Sequence, residues 1–299
     1  MRTLLLIPAA LAAGGCGPLS TSGPADARLA AFIPGDTVML AGIHVAELKK
    51  TPLYRQVIAM LGSVERQGFD PRRDVDELLV ASNGKESVAI GRGRFDGKEL
   101  QGLERFEHRG VTLYGNEQGA VAIIDPSTAL AGWTPAVRAA IDQRNSGGRA
   151  AAGLLARARA LPTPNHIWMV SNGAPVLPRF PNVPNAEILR KILNNLSNVA
   201  FFADLREGIY ASATAQCATA GDAKFIGDTV RGLIGLGRLS VPREEPELAK
   251  AFDGVAVRQS QRTVTVDAKI PEGVAMAAME RLRSFSEGSR RQESMPRPR

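Results

Sequence analysis

Glu77-Leu78-Leu79-Val80-Ala81-Ser82 and Ser87-Val88-Ala89-Ile90-Gly91-Arg92-Gly93-Arg94-Phe95 are two β-rich runs separated by a turn that begins Asn83-Gly84. Asn-Gly between apolar runs is the strongest short-range hairpin signal, because both residues accept the positive φ of a tight turn. The stretch therefore points to antiparallel pairing.

Working outward, Thr37 to Val45 reads as a strand and about 46–62 as an amphipathic helix, with Leu48, Leu53, Val57, Ile58 and Leu61 near helical spacing and Pro52 marking a break or a late first turn. Beyond the hairpin come a short helix near Lys98 to Leu103, a second hairpin (Val111 to Tyr114 with Ala120 to Ile124), and a helix from about Pro135 to Gln143 before Asn145-Ser146-Gly147-Gly148. The order β-α-β-β-α-β-β-α, with hairpins and helices segregated, is an α+β plan of ferredoxin-like flavour.

The second half reads as a tandem repeat of that unit. Ile167 to Val170 is a strand, Ala186 to Leu196 a helix, Val199 to Asp204 pairs with Ile209 to Cys217, and about Asp222 to Leu236 forms a long helix. Gly254 to Arg258 corresponds to Gly110 to Tyr114, the strand at Thr263 to the strand at Val121, and Glu272 to Phe285 is the closing helix. The resulting organisation is 1–15 signal peptide, 16–28 flexible tether, 29–148 first repeat, 149–285 second repeat and 286–299 disordered basic tail.

The N-terminus reads as an address. Arg2 precedes a ten-residue apolar run, Leu4 to Ala13, about half the length a membrane-spanning helix needs. A basic start, an apolar centre and small residues after it make a secretory signal. Leu11-Ala12-Ala13-Gly14-Gly15-Cys16 resembles the lipobox of bacterial lipoproteins, although Ala13 stands where leucine is commonest. The resemblance implies that Cys16 receives a diacylglyceryl group and fatty acids such as palmitate, holding the chain in the cell envelope and facing the periplasm or exterior. In that case the bilayer is a partner, since two or more acyl chains anchor stably where one does not. Ordinary secretion is the alternative, and would let Cys16 pair with Cys217 in an oxidising compartment. The layout of the body, with Pro34-Gly35-Asp36-Thr37-Val38 at its opening strand, Asp70-Pro71-Arg72-Arg73-Asp74 before the hairpin and Gly93-Arg94-Phe95 after it, is similar to secreted proteins of soil bacteria and implies no activity.

The 299 residues carry a net charge of +7 and are 44% hydrophobic, which excludes a disordered chain and a polytopic membrane protein. Three histidines (His44, His108, His166) and two cysteines leave few catalytic options. No His-Glu-x-x-His, Gly-x-Ser-x-Gly or Cys-x-x-Cys motif is present, so no catalytic residue, metal site or cofactor is assigned. His44 and His166 occupy equivalent strands of the two repeats and are placed to meet, though two histidines alone make a poor metal site. Asp70 to Glu77 lacks the calcium-loop pattern and reads as a solvated turn with local ion pairs. Cys217 reads as a buried thiol on a strand.

Two binding candidates remain. Arg92 and Arg94 on alternating Gly-Arg positions are candidates for an anion, against the simpler reading of a charged solvent face. Leu177 and Phe180, in the proline-stiffened stretch Ala174 to Pro184, are candidate partner contacts, or else they fold back over the core. The basic tail suits anionic envelope polymers or lipid headgroups. Nucleic acid is not expected without stacking aromatics beside it. These features suit a non-enzymatic envelope binding protein. The alternatives are a secreted enzyme of unrecognised class and a small-ligand module using a cleft between the repeats.

Overall fold

The computed structural model describes residues 26–61, 71–97, 100–147, 151–163, 165–173, 196–243 and 246–281. Cys16, Leu177, Phe180, residues 186–195 of the helix expected at 186–196 and the basic tail lie outside these, and Leu196, expected to end that helix, instead opens a strand. In chain order the elements are α1 (Ala27–Ala30), β1 (Met39–Ile43), α2 (Val45–Leu48), α3 (Tyr54–Leu61), α4 (Pro71–Asp74), β2 (Val75–Ser82), β3 (Ser87–Gly93), β4 (Arg105–His108), β5 (Val111–Gly115), β6 (Ala120–Asp125), β7 (Thr128–Gly132), α5 (Thr134–Ser146), α6 (Ala152–Arg159), β8 (Ile167–Asn172), β9 (Leu196–Asp204), β10 (Ile209–Cys217), α7 (Ala220–Leu239), α8 (Pro246–Asp253), β11 (Val255–Ser260) and β12 (Thr263–Ile270). A last helix, α9, covers 272–281.

All the described strands join one sheet of twelve in the order β11-β12-β10-β9-β8-β1-β2-β3-β7-β6-β5-β4, and every neighbouring pair is antiparallel. The class is α+β. β10 and β11, each antiparallel to the β12 that separates them, run parallel to one another and are joined through α7 and α8, the split β-α-β crossover of a ferredoxin-like unit.

Outward from the centre the halves run β1-β2-β3-β7-β6 and β8-β9-β10-β12-β11. They meet at β1 and β8, where Ala41 lies opposite Met169 in a five-residue ladder. The β6–β7 hairpin is thus the topological counterpart of β11–β12. The correspondence expected from sequence, β5 with β11 and β6 with β12, is one strand out of step because β4 and β5 are additions to the first half. The halves join edge to edge, so backbone hydrogen bonds fill the seam where the alternative small-ligand reading placed a cleft.

At the hairpin that sets the class, Asn83 Oδ1 accepts the amides of Lys85 and Glu86, and Gly84 takes φ +95°. The helix expected over 46–62 divides into α2 and α3 around Pro52. The tether ends earlier than anticipated, because Asp26 caps α1 by accepting from the Arg28 amide and Leu29 is fully buried.

One row of side chains explains where the core lies. Following the register, Leu113, Ala122, Leu130, Ile90, Leu79, Gly42, Trp168, Phe202, Ser212 and Asp267 share a face of the sheet. Up to Phe202 the row is apolar or bare, and α1, α5 and α6 bury it with Leu29, Val137, Ile141 and Leu154. Beyond Phe202 the row is polar. Gly42 is required here, since a Cβ at that position would lie 2.2 Å from Trp168 Nε1.

Pseudo-symmetry fails at the closing helices. α5 covers the first half on the Leu79–Trp168 face, whereas α9 packs through Ala275 and Met279 against Ile209, Ala211 and Ile270 on the other face. Among the described residues no helix covers the Leu79–Trp168 face of the second half-sheet beyond Phe202.

Candidate functional site

Titratable groups converge at one end of the seam. His44 follows β1 and His166 precedes β8, and the His44 amide donates to the His166 carbonyl at 2.9 Å. The two histidines do meet across the repeat, as the sequence suggested. His166 is 4% exposed. Its Nδ1 accepts the Leu205 amide at 3.1 Å and lies 3.3 Å from Asp204 Oδ1.

Burial is the main reason that both imidazoles lie below their ordinary 6.5. For His166 the nearby Asp204 opposes that shift, and for His44 Glu77 opposes it. Arg206, bidentate on Asp204, holds that carboxyl below the usual aspartate range, although burial pulls the other way. Both rings are accordingly neutral at pH 7. Glu77 is also buried. It accepts the Asp26 amide at 3.2 Å and is held by Arg92 at 3.0 Å.

This arrangement assigns Arg92 a structural partner. Its guanidinium joins Glu77 and, at 3.5 Å, Asp26, which ties the entering chain to β2. Arg94 is exposed just beyond β3, and its amide donates to the Asp74 carbonyl. The expected Arg92–Arg94 anion pair is thus divided, with Arg92 held by two carboxylates. His108 instead contacts Asp142 at 3.0 Å, beside Arg109. Arg73 grips Asp74 bidentately at 2.7 Å. Among the described residues no group of three or more His, Cys, Asp or Glu side chains is arranged to hold a metal ion.

Cys217 is a free thiol, 3% exposed and packed with Ala223, Ile226 and Val264. Burial pushes its pKa up, the opposite of an activated nucleophile.

The open face of the second half-sheet was not anticipated. It presents Tyr210, Ser212, Thr214, Gln216, Thr265, Asp267, Arg258 and Lys269, with Tyr210 49% exposed. Ser212 and Arg258 both bind Asp267, and Thr214 meets Thr265 at 3.3 Å, so a hydroxyl-rich surface is held in a fixed pattern. Polar alternation along β10 and β12 was visible in the sequence. The placement of α9 on the opposite face was not.

No helix among the described residues is long and apolar enough to cross a membrane. No family model matches this chain, and no curated protein matches it. Its fold is similar to that of TP0453 in crystal form I, at a TM-score of 0.48 and 11% identity over 85% of this chain and 96% of that one. Against crystal form III of TP0453 the TM-score is 0.44 at 10% identity, over 85% and 97% of the two chains.

Proposed function

We propose that this chain is a lipid-anchored protein of a bacterial envelope that works by binding. The observation that carries the reading is Leu11-Ala12-Ala13-Gly14-Gly15-Cys16, a lipobox-like segment placed just ahead of the body. The body's geometry supports it. Asp26 is tied to Glu77 and Arg92, so residues 17–25 alone separate Cys16 from the fold, and extended they reach about 30 Å.

Binding fits better than chemistry because the converging groups at the seam are used on one another. His166 takes a backbone amide, Asp204 takes Arg206, and Glu77 takes Arg92. The surface offered to a partner is the polar half-sheet face around Tyr210 and Thr265. An envelope protein or an anionic envelope polymer is the class of partner that fits a chain of this charge in this compartment.

Fractionation tests the reading. The wild-type chain in a bacterial host should sediment with membranes and leave them with detergent but not with high salt. Cys16→Ala should move it to the soluble fraction or leave it as an unprocessed precursor. Salt-extractable wild type, or full-length wild type that stays soluble, would refute anchoring.

A further inference from the structure

Helix α7 is apolar on two opposite sides. On its inner side Ala223, Ile226 and Gly227 are buried, and with Val230 that side packs on Cys217, Val257, Val264 and Val266. On its outer side Phe225 is 50% exposed, Leu233 37%, Leu236 61% and Leu239 83%. At about 100° per residue, Phe225, Leu236 and Leu239 fall within about 60° of one another, with Leu233 on their flank. Single exposed leucines need no explanation, but a line of them on one helix does. Together they expose on the order of 400 Å² of apolar surface, the size of a functional patch.

A second copy would need roughly 800 Å² from each partner, about twice this ridge. A lipid surface demands no complementary shape. Its occupancy is favoured by where the ridge ends. β11 begins at Val255 opposite Ala268, so the α7–α8 pair returns the chain to the end of the sheet where β12 finishes and β10 starts. Following the antiparallel register inward, this is also where β8 starts, β1 ends, β2 starts and β3 ends. Asp26 binds Glu77 and Arg92 at that same end. The point where the chain arrives from Cys16 and the Leu236–Leu239 tip thus share one end of the sheet. They are offset by six strand spacings, about 29 Å, which the extended 17–25 segment spans.

We propose that the C-terminal half of α7 rests its outer leucines in the bilayer that holds Cys16, fixing the body's orientation on the membrane; the proposal rests on the anchored reading. Arg238 and Arg243 are followed in sequence by Glu244 and Glu245, so the contact is apolar and needs no anionic lipid. Leu236 and Leu239 enter the headgroup–acyl boundary, as interfacial helices do.

The test uses the full chain purified from host membranes, with Leu236→Trp or Lys85→Trp, reconstituted in phosphatidylcholine vesicles brominated on the acyl chains. Lys85 is exposed in the turn at the opposite end of the sheet. Against the wild-type background, the tryptophan at 236 should lose roughly half its emission, as expected for a side chain at the acyl boundary, and the one at 85 should lose almost none. Mass spectrometry of the same samples reads acylation of Cys16. Acylated, vesicle-bound protein without quenching at 236 overturns this proposal and leaves the anchor standing. Quenching at 236 without acylation sustains the contact and removes the anchor. Neither acylation nor quenching refutes both. Equal quenching at 85 and 236 also overturns the oriented contact.

Discussion

His166 and Asp204 face one another through a single nitrogen: Nδ1 lies 3.3 Å from Asp204 Oδ1 while accepting the Leu205 amide at 3.1 Å. A lone pair on Nδ1 is needed for the amide and a proton for the carboxylate, so the two contacts belong to different protonation states of that nitrogen. Burial favours the neutral ring, and the Leu205 amide selects the tautomer that carries its proton on Nε2.

The consequence is a dependence of stability on pH. His44 and His166 lie below 6.5 when folded, so the unfolded chain binds more protons as pH falls past that value. Their stabilising contribution is complete above pH 6.5 and is lost as pH falls through the lower folded values. Urea unfolding midpoints should therefore decline between pH 7 and pH 5. His166→Gln should flatten part of that slope, whatever it does to stability at pH 7. An unchanged slope would show that His166 does not titrate with folding.

Glu77 should depend on its arginine. Arg92→Ala would leave a buried carboxylate still accepting the Asp26 amide but without its arginine, costing about 1–3 kcal/mol by chemical denaturation. Arg94→Ala, at an exposed position, should change stability by less than about 0.5 kcal/mol. Equal effects would contradict the division drawn between these arginines.

Gly42 and Trp168 are cross-strand neighbours at the seam, the ring lying over the bare backbone. Gly42→Ala should destabilise by about 2–3 kcal/mol through overpacking. Trp168→Phe makes room for the new methyl, so the double variant should be more stable than the sum of single effects by about 1 kcal/mol. Additive losses would mean that the ring does not determine the need for glycine.

Cys217 should be inert while the protein is folded. Its buried thiol should react with an aromatic disulfide only slowly in buffer and promptly in denaturant, and Cys217→Ala should cost little beyond its small packing volume. Rapid reaction in buffer would overturn the structural role.

What could be read from sequence follows from the range of the interactions involved. The Asn83–Gly84 turn and the meeting of His44 with His166 were legible because local turn chemistry determines the first, and the second follows from like positions at the ends of two strands that pair. β7 escaped notice because Thr128-Ala129-Leu130-Ala131-Gly132 is short and built of small residues without β-branched alternation. α5 and α9 occupy equivalent places in the chain yet opposite faces of the sheet, a choice made by distant partners such as Leu48 and Leu53. Hence the open face around Tyr210 was invisible. In α7, leucines on both sides give a pattern that shows a helix but not which side stays wet. Arg92 looked free because its acidic partners come from Asp26 and Glu77, one far off in sequence and the other across the hairpin.

Anchoring is tested most directly by incorporation of an alkyne-tagged palmitate into the full chain and its Cys16→Ala variant in a bacterial host. The account predicts label on the wild-type protein alone, surviving detergent extraction and mapping to the peptide that begins at Cys16. Absence of label from a processed, secreted wild-type protein would contradict it, as would equal label on Cys16→Ala.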